Sequence, residues 1–478
     1  MIEQRAAGIL LAVSSLDGHW GIGAFGKAAR RWVDFLAAAG QKYWQILPLG
    51  PTGWGDSPYQ SPSAFALSPY YIDPEALAEG GLLTAPELET LAGTASEEAA
   101  SEEAVDYAAL YQNREPLLRR AFSRFRPGAG YARFIAEQDF WLADYSLFMA
   151  VKRRQGARSW LEWDEPLLRR EEEALAHCRR DYAADLSYYS FEQYLAFSQW
   201  RSLKAYANDR GVSIIGDMPI YTAMDSADTW AGSDYFQLDE RKRPLRVAGC
   251  PPDAFAGKGQ LWGNPLYRWD RMAETGFAWW IARIRAALSL YDVLRIDHFR
   301  GFESYYSIDA AAPDAVGGEW VKGPGLAFIN AVNGAFPGAA IIAEDLGYLT
   351  PEVRALLRAS GFPGMKVLQF AFDTREPVSY MPYTYERNCV VYTGTHDNDT
   401  ALGWFGSARP EDAALARDYL GLSGDAAHGE PPQRAFIRAA FSSVADLAII
   451  PMQDHLGLGS AARMNRPSTL GGSNWRWR

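Results

Sequence analysis

The sequence predicts a (β/α)8 barrel, an α/β TIM barrel, with inserted, largely helical subdomains on the face where its strands end. Three observations point there. Eight short apolar runs recur along the 478 residues, helical patterns separate many of them, and several runs end in carboxylates. Runs apolar almost throughout suit parallel strands covered on both faces. Strands alternating with helices in this number imply closure into a barrel.

Taken in order, the runs fall at 8–13, 43–49, 214–220, 293–299, 340–346, 365–370, 389–396 and 446–453. After the first, Ala29, Trp32, Val33, Leu36 and Ala39 recur at helical spacing, and Gly40 supplies a stop. Two stretches exceed what barrel loops need. Residues 70–190 are acidic, Ala-rich and helical in pattern; Thr84-Ala-Pro-Glu87 has the form of a capping box, and 96–104 reads as a solvated Glu-rich segment. Residues 221–289 are rich in Gly, Pro and Trp, with little helical period before Phe277. Both read as subdomains inserted into one barrel domain spanning 1–478. Insertions after strand C-termini stand on the catalytic face and would wall a cleft.

Composition excludes several classes. The formal charge of −11 opposes binding to nucleic acid and to anionic membrane surfaces. Cys178, Cys250 and Cys389 are too few and scattered for a disulfide framework or a zinc site, and are expected as buried reduced thiols in a cytoplasmic protein. Met1–Arg5 has no signal architecture, and the apolar run at 8–13 is too short to cross a membrane. Aromatic residues reach 14%. Flat rings stack on the C–H faces of sugars, although most such rings serve a core.

The chemistry lies at the strand ends. Asp217, Asp297, Glu344 and Asp397 each stand in or just after an apolar run. Burying a carboxylate costs several kcal/mol (~2–7 for an uncompensated polar group). Four at equivalent strand positions are therefore expected to share a function at the barrel mouth. Arg295 and Asp297, two apart, face the same side, so the guanidinium is expected to hold that carboxylate ionised. Glu344, preceded by Ile341-Ile342-Ala343, is expected to have a raised pKa, which suits a proton donor. A fixed carboxylate nucleophile beside a protonated acid is the arrangement of retaining glycoside chemistry. His298, His396 and His455, three of only six histidines, fall at or near strand ends and read as sugar-hydroxyl contacts. Metal ligation with the acids is the alternative, but a metal would compete with Arg295 for the same carboxylates.

Long ordered motifs add a resemblance. Gly8-Ile-Leu-Leu, Tyr43-Trp-Gln-Ile-Leu-Pro-Leu-Gly-Pro-Thr-Gly, Gly55-Asp-Ser-Pro-Tyr-Gln-Ser, Ile215-Gly-Asp-Met-Pro-Ile and Gly259-Gln-Leu-Trp-Gly-Asn-Pro-Leu-Tyr open the series. Arg295-Ile-Asp-His-Phe-Arg-Gly, Ala343-Glu-Asp-Leu-Gly, Gly394-Thr-His-Asp-Asn and Arg463-Met-Asn complete it. From about Arg5 onward the chain resembles the 4-α-glucanotransferase (amylomaltase or disproportionating-enzyme) family of the α-amylase clan, most weakly over 82–189. The resemblance implies a barrel without a C-terminal β-domain. It implies retaining transfer of α-1,4-glucan segments to glucose or maltooligosaccharide acceptors, with neither cofactor nor metal. Asp297 matches the nucleophile, Glu344 the acid/base and Asp397 the third acid. Asp217, Arg295 and His396 match the surrounding shell, Tyr59 the ring that stacks on the donor sugar, and Trp54 an aromatic of a second glucan site. Residues 251–260 match a lid loop; Ser57, Asp253, Gln260, Trp262, His298 and Asn465 are carried over as sugar contacts. The chain departs from the family at Ala256 and Lys258 in the lid, at 11–15, at Ser68 where Asn is usual, and at Ser468 where Gly is usual. It also stops at Arg478, where the family continues into a last helix. The same acids would serve a hydrolase of the clan; a silent glucan-binding barrel would not need them all. The sequence assigns no oligomeric state.

Overall fold

A computed structural model describes residues 5–53, 55–98, 104–252, 256–375, 380–422 and 429–478. Eight parallel strands form the barrel: β1 (Ala6–Leu10), β2 (Tyr43–Gln45), β3 (Ser213–Met218), β6 (Val293–Ile296), β9 (Ile341–Ala343), β10 (Gly364–Val367), β11 (Cys389–Tyr392) and β12 (Leu447–Pro451). Their order is β10-β11-β12-β1-β2-β3-β6-β9. The sheet comes round on itself where Ala343 N–H donates to Pro363 O at 2.9 Å, just before β10. All eight expected strands form, each ending earlier than its apolar run. Beyond Gln45, for example, Leu47 and Leu49 are buried outside the strand. Loops and helices folded over the strand ends cover them, so burial rather than strand pairing accounts for these apolar residues. The helix Lys27–Ala38 buries Ala29, Val33 and Leu36, and Gly40 follows at φ 72°.

Residues 70–190 supply helices including Ala85–Glu98, Tyr107–Arg124 and Ala129–Arg154, and Ala183–Asp209 continues to the barrel. The Thr84 N–H donates to Glu87 at 2.8 Å, one half of a capping box. These helices hold the rim. Buried Arg114 donates to the carbonyls of Ile72 and Trp20, both at 3.1 Å. The Gln193 amide accepts from Leu67 N–H at 2.8 Å and donates to Leu67 O at 2.9 Å. The Asp228 carboxylate accepts from Ala64 N–H at 2.7 Å. The Gln193 and Asp228 bonds fix the loop that carries Tyr59.

A second, four-stranded antiparallel sheet was not expected. It comprises β4 (Arg246–Cys250), β5 (Gln260–Pro265), β7 (Ser304–Asp309) and β8 (Glu319–Lys322), in the order β5-β4-β7-β8. It draws on residues on both sides of β6 and extends past 289. Its strands are short, and the β4–β5 register shifts between Val247 and Gly249. No single segment therefore shows a clean alternation. After β12 only the one-turn helix Met452–Leu456 and the 3-10 turn Ser460–Ala462 follow, so the described residues contain no C-terminal β-domain. No helix among them is long and apolar enough to cross a membrane. Cys178 and Cys389 are buried thiols; Cys250 is partly exposed rather than buried.

Candidate active site

The site begins with charge placed on strands. Asp217 on β3 lies in register with Arg295 on β6, and not with Asp297 as equivalent strand positions would require. One Arg295 nitrogen, Nη1, lies 2.6 Å from both Asp217 oxygens and 3.1 Å from Asp297 Oδ1. Tyr59 Oη donates to Asp217 Oδ2 at 2.7 Å. Asp297 follows β6 directly, and its N–H donates to Met218 O at 3.0 Å. One buried guanidinium thus serves two carboxylates, and a phenol shares the inner one.

Glu344 follows β9 directly. Its carboxylate accepts from His298 N–H at 2.6 Å and from Leu346 N–H at 3.0 Å. Burial, then the charge of Asp297, pushes its pKa up to about 8 against the pull of Arg295. Burial likewise pushes Asp297 up to about 7; Arg295 opposes this, while Asp217 and Asp397 add to it. Arg295, expected to hold Asp297 ionised, is shared with Asp217, so its pull on Asp297 is set against desolvation. The two groups titrate as a pair, both above the ordinary carboxylate range.

Asp397 lies beyond β11, where Asn465 Nδ2 donates to Oδ1 at 2.6 Å and His396 Nε2 lies 3.4 Å from the same oxygen. The His396 ring stacks on Tyr59, with centroids 5.2 Å apart and planes 16° apart. Burial lowers its pKa, so the imidazole is neutral. Across the mouth, His298 adopts φ 51°, and burial lowers its pKa to about 3. Its Nε2 is buried with no protein partner, and its ring meets Trp262 edge-on at 4.9 Å. The Trp262 indole donates to Gln260 Oε1 at 3.0 Å, and Ser57 Oγ accepts from Tyr59 N–H at 3.3 Å. Clefts of about 650 Å³, beside Tyr59 and Asp217, and about 400 Å³, beside His396 and Arg463, flank this cluster.

The structure therefore brings together Tyr59, Asp217, Arg295, Asp297, His298, Glu344, His396, Asp397, Asn465, Trp262 and Gln260, with Ser57 turning the loop beneath Tyr59. Trp54 and Asp253 lie outside the described residues. His455 is exposed on the short helix after β12. Sequence reasoning missed two contributors. Arg463 donates to the Asp397 carbonyl at 2.5 Å and to the Asn465 carbonyl at 2.6 Å. Trp475 lies 5.6 Å from the Tyr59 ring and 6.0 Å from the His396 ring. Its only sequence signal is the cluster of tryptophans near the C-terminus. Among the described residues no group of three His, Cys, Asp or Glu is placed to hold a metal ion.

A barrel with paired, desolvated carboxylates and stacked rings at its mouth defines a class: enzymes built for chemistry at glycosidic bonds. Within that class, the chain belongs to the 4-alpha-glucanotransferase family, whose sequence model matches residues 11–478. It is 47% identical over 470 residues to the 4-alpha-glucanotransferase of Clostridium butyricum, covering 98% of this chain and 94% of the relative. It is 47% identical over 483 residues to that of Thermus thermophilus, covering 99% and 94%. Its fold is similar to that of the amylomaltase from Streptococcus agalactiae, solved in complex with acarbose, with a TM-score of 0.94 and 40% identity over 99% of this chain and 95% of that one.

Proposed function

We propose that this chain moves α-1,4-glucan segments by double displacement, with Asp297 as nucleophile and Glu344 as acid and then base. Glu344 gives its proton to the glycosidic oxygen as the Asp297 carboxylate bonds to the anomeric carbon. The acceptor-side sugar leaves with that proton. Glu344, now ionised, removes the proton from an incoming sugar hydroxyl. That oxygen bonds to the anomeric carbon and Asp297 departs with its electron pair, so configuration is retained overall. Asp397, held by Asn465, takes the hydroxyls of the donor sugar, while Tyr59 and His396 form its stacking floor. The neutral His298 Nε2 is left to meet a sugar hydroxyl. One observation carries this reading: Asp297 lies 3.1 Å from the buried guanidinium of Arg295, while Glu344 is buried beside it at the end of β9, an environment that raises its pKa. Donors are α-1,4-glucans; acceptors are glucose and maltooligosaccharides.

The loop 251–260 acts as a lid that limits access of water to the glycosyl-enzyme. The reading assigns the enzyme to a reducing compartment, the cytoplasm, which the buried thiols of Cys178 and Cys389 support. Incubation with maltotriose alone tests transfer against hydrolysis. The reading predicts glucose together with a ladder of longer oligosaccharides, whereas glucose and maltose alone would indicate a hydrolase.

A further inference from the structure

We propose that Tyr348 forms an outer acceptor subsite, a sugar-stacking platform that selects long over short acceptors. The inference rests on the roles just assigned to Asp297 and Glu344. Those roles orient the rim. Tyr59, His396, Asp397 and Asn465 surround the donor sugar. The acid/base protonates the oxygen that leaves with the acceptor, so the loop continuing outward from Glu344 lies on the acceptor side. Tyr348 stands four residues along that loop, within about 14 Å even at full extension. It is 75% exposed, an unusual state for so large a ring beside a catalytic mouth.

The backbone carrying that ring is held. Arg300 Nη1 donates to Tyr348 O at 2.5 Å, and Arg300 Nη2 donates to Ser304 Oγ at 3.1 Å. The guanidinium carbon lies 3.6 Å from the centroid of the Trp320 ring on β8, and Trp320 packs edge-on against Tyr306, its cross-strand partner. Arg300 is buried and lies two residues beyond His298, whose unpartnered Nε2 faces the first acceptor position in this reading. The antiparallel sheet, the loop after β6 and the loop after β9 thus meet at one point, with Tyr348 projecting from it. An exposed ring on an anchored backbone presents a flat face at little entropic cost, which suits the C–H face of a sugar beyond the first acceptor unit. Glucose, filling only that first unit, would not reach it.

The test measures transfer from one donor to glucose and to maltotetraose, in wild type, Tyr348→Ala and Tyr348→Phe. Tyr348→Ala should raise the KM for maltotetraose about tenfold and leave kcat/KM for glucose within about twofold. Tyr348→Phe should restore wild-type behaviour, because the ring face and not the hydroxyl makes the contact. An unchanged KM for maltotetraose, or an equal loss with both acceptors, would overturn the platform. Wild-type enzyme that releases donor fragments but transfers to neither acceptor would instead overturn the transferase reading beneath it.

Discussion

At Glu344 a proton is held well above the ordinary carboxylate range by burial and by the neighbouring charge of Asp297. Ionisation of the pair should bound kcat/KM on both sides, and both limbs should lie above the ordinary carboxylate range because burial raises both acids. Stability carries the opposite mark. Folded Glu344 keeps its proton to about pH 8, whereas the unfolded chain loses it near 4.5. Across that window the unfolded state binds fewer protons, so stability falls as pH rises. Glu344→Gln removes this cost, and its melting temperature relative to wild type should climb between pH 5 and pH 8; a flat difference would show that the raised value is wrong. The same variant should lose activity on glucans yet recover part of it on a donor whose leaving group needs no protonation. Asp297→Asn should lose about three orders of magnitude or more in transfer with its fold intact. Ser468 sits at φ 63°. A non-glycine residue there costs roughly 1–2 kcal/mol, so Ser468→Gly should stabilise by about 1 kcal/mol in denaturant melts, with activity unchanged.

Among elements, residues 256–260 of the proposed lid are tied to the hairpin between β7 and β8. Ala315 N–H donates to Lys258 O at 3.1 Å, and Gly259 N–H donates to Ala256 O at 2.8 Å. Gly259 adopts φ 68°, and a Cβ there would stand 2.4 Å from Cys250 O and 2.8 Å from Ala315 Cβ. Gly259→Ala must therefore push the loop off the hairpin. It should raise KM for glucans about tenfold and increase the ratio of hydrolysis to transfer; an unchanged ratio would remove the lid from water exclusion. Lys258 behaves differently. Its side chain is 83% exposed, and its ammonium lies 3.9 Å from Asp314. An exposed pair at that distance contributes little, so Lys258→Ala should leave the ratio where it is.

For the molecule as a whole, what could be read from the sequence follows from how each part is built. The barrel strands are buried on both faces, so each reads as a continuous apolar run wherever it occurs. The carboxylates stood out because an acid inside such a run needs a reason. The antiparallel sheet gave no such signal, because β4 pairs on one side with β7, which follows β6, and none of its strands is long. Trp475 was hidden for a similar reason: the final segment returns to the site through Trp475 N–H donating to Met464 O at 2.8 Å, a tertiary arrangement that periodicity does not encode. Arg295 was read with the correct partner but not with its second one, so the charge balance at Asp297 came out too simple. The most direct measurement is mass spectrometry of Glu344→Gln after reaction with an activated glycosyl donor and proteolysis. The account predicts a glycosyl adduct on the peptide bearing Asp297, discharged when a sugar acceptor and an external nucleophile such as azide are supplied. An adduct on Asp217 or Asp397, or none under conditions where the donor is consumed, would contradict it.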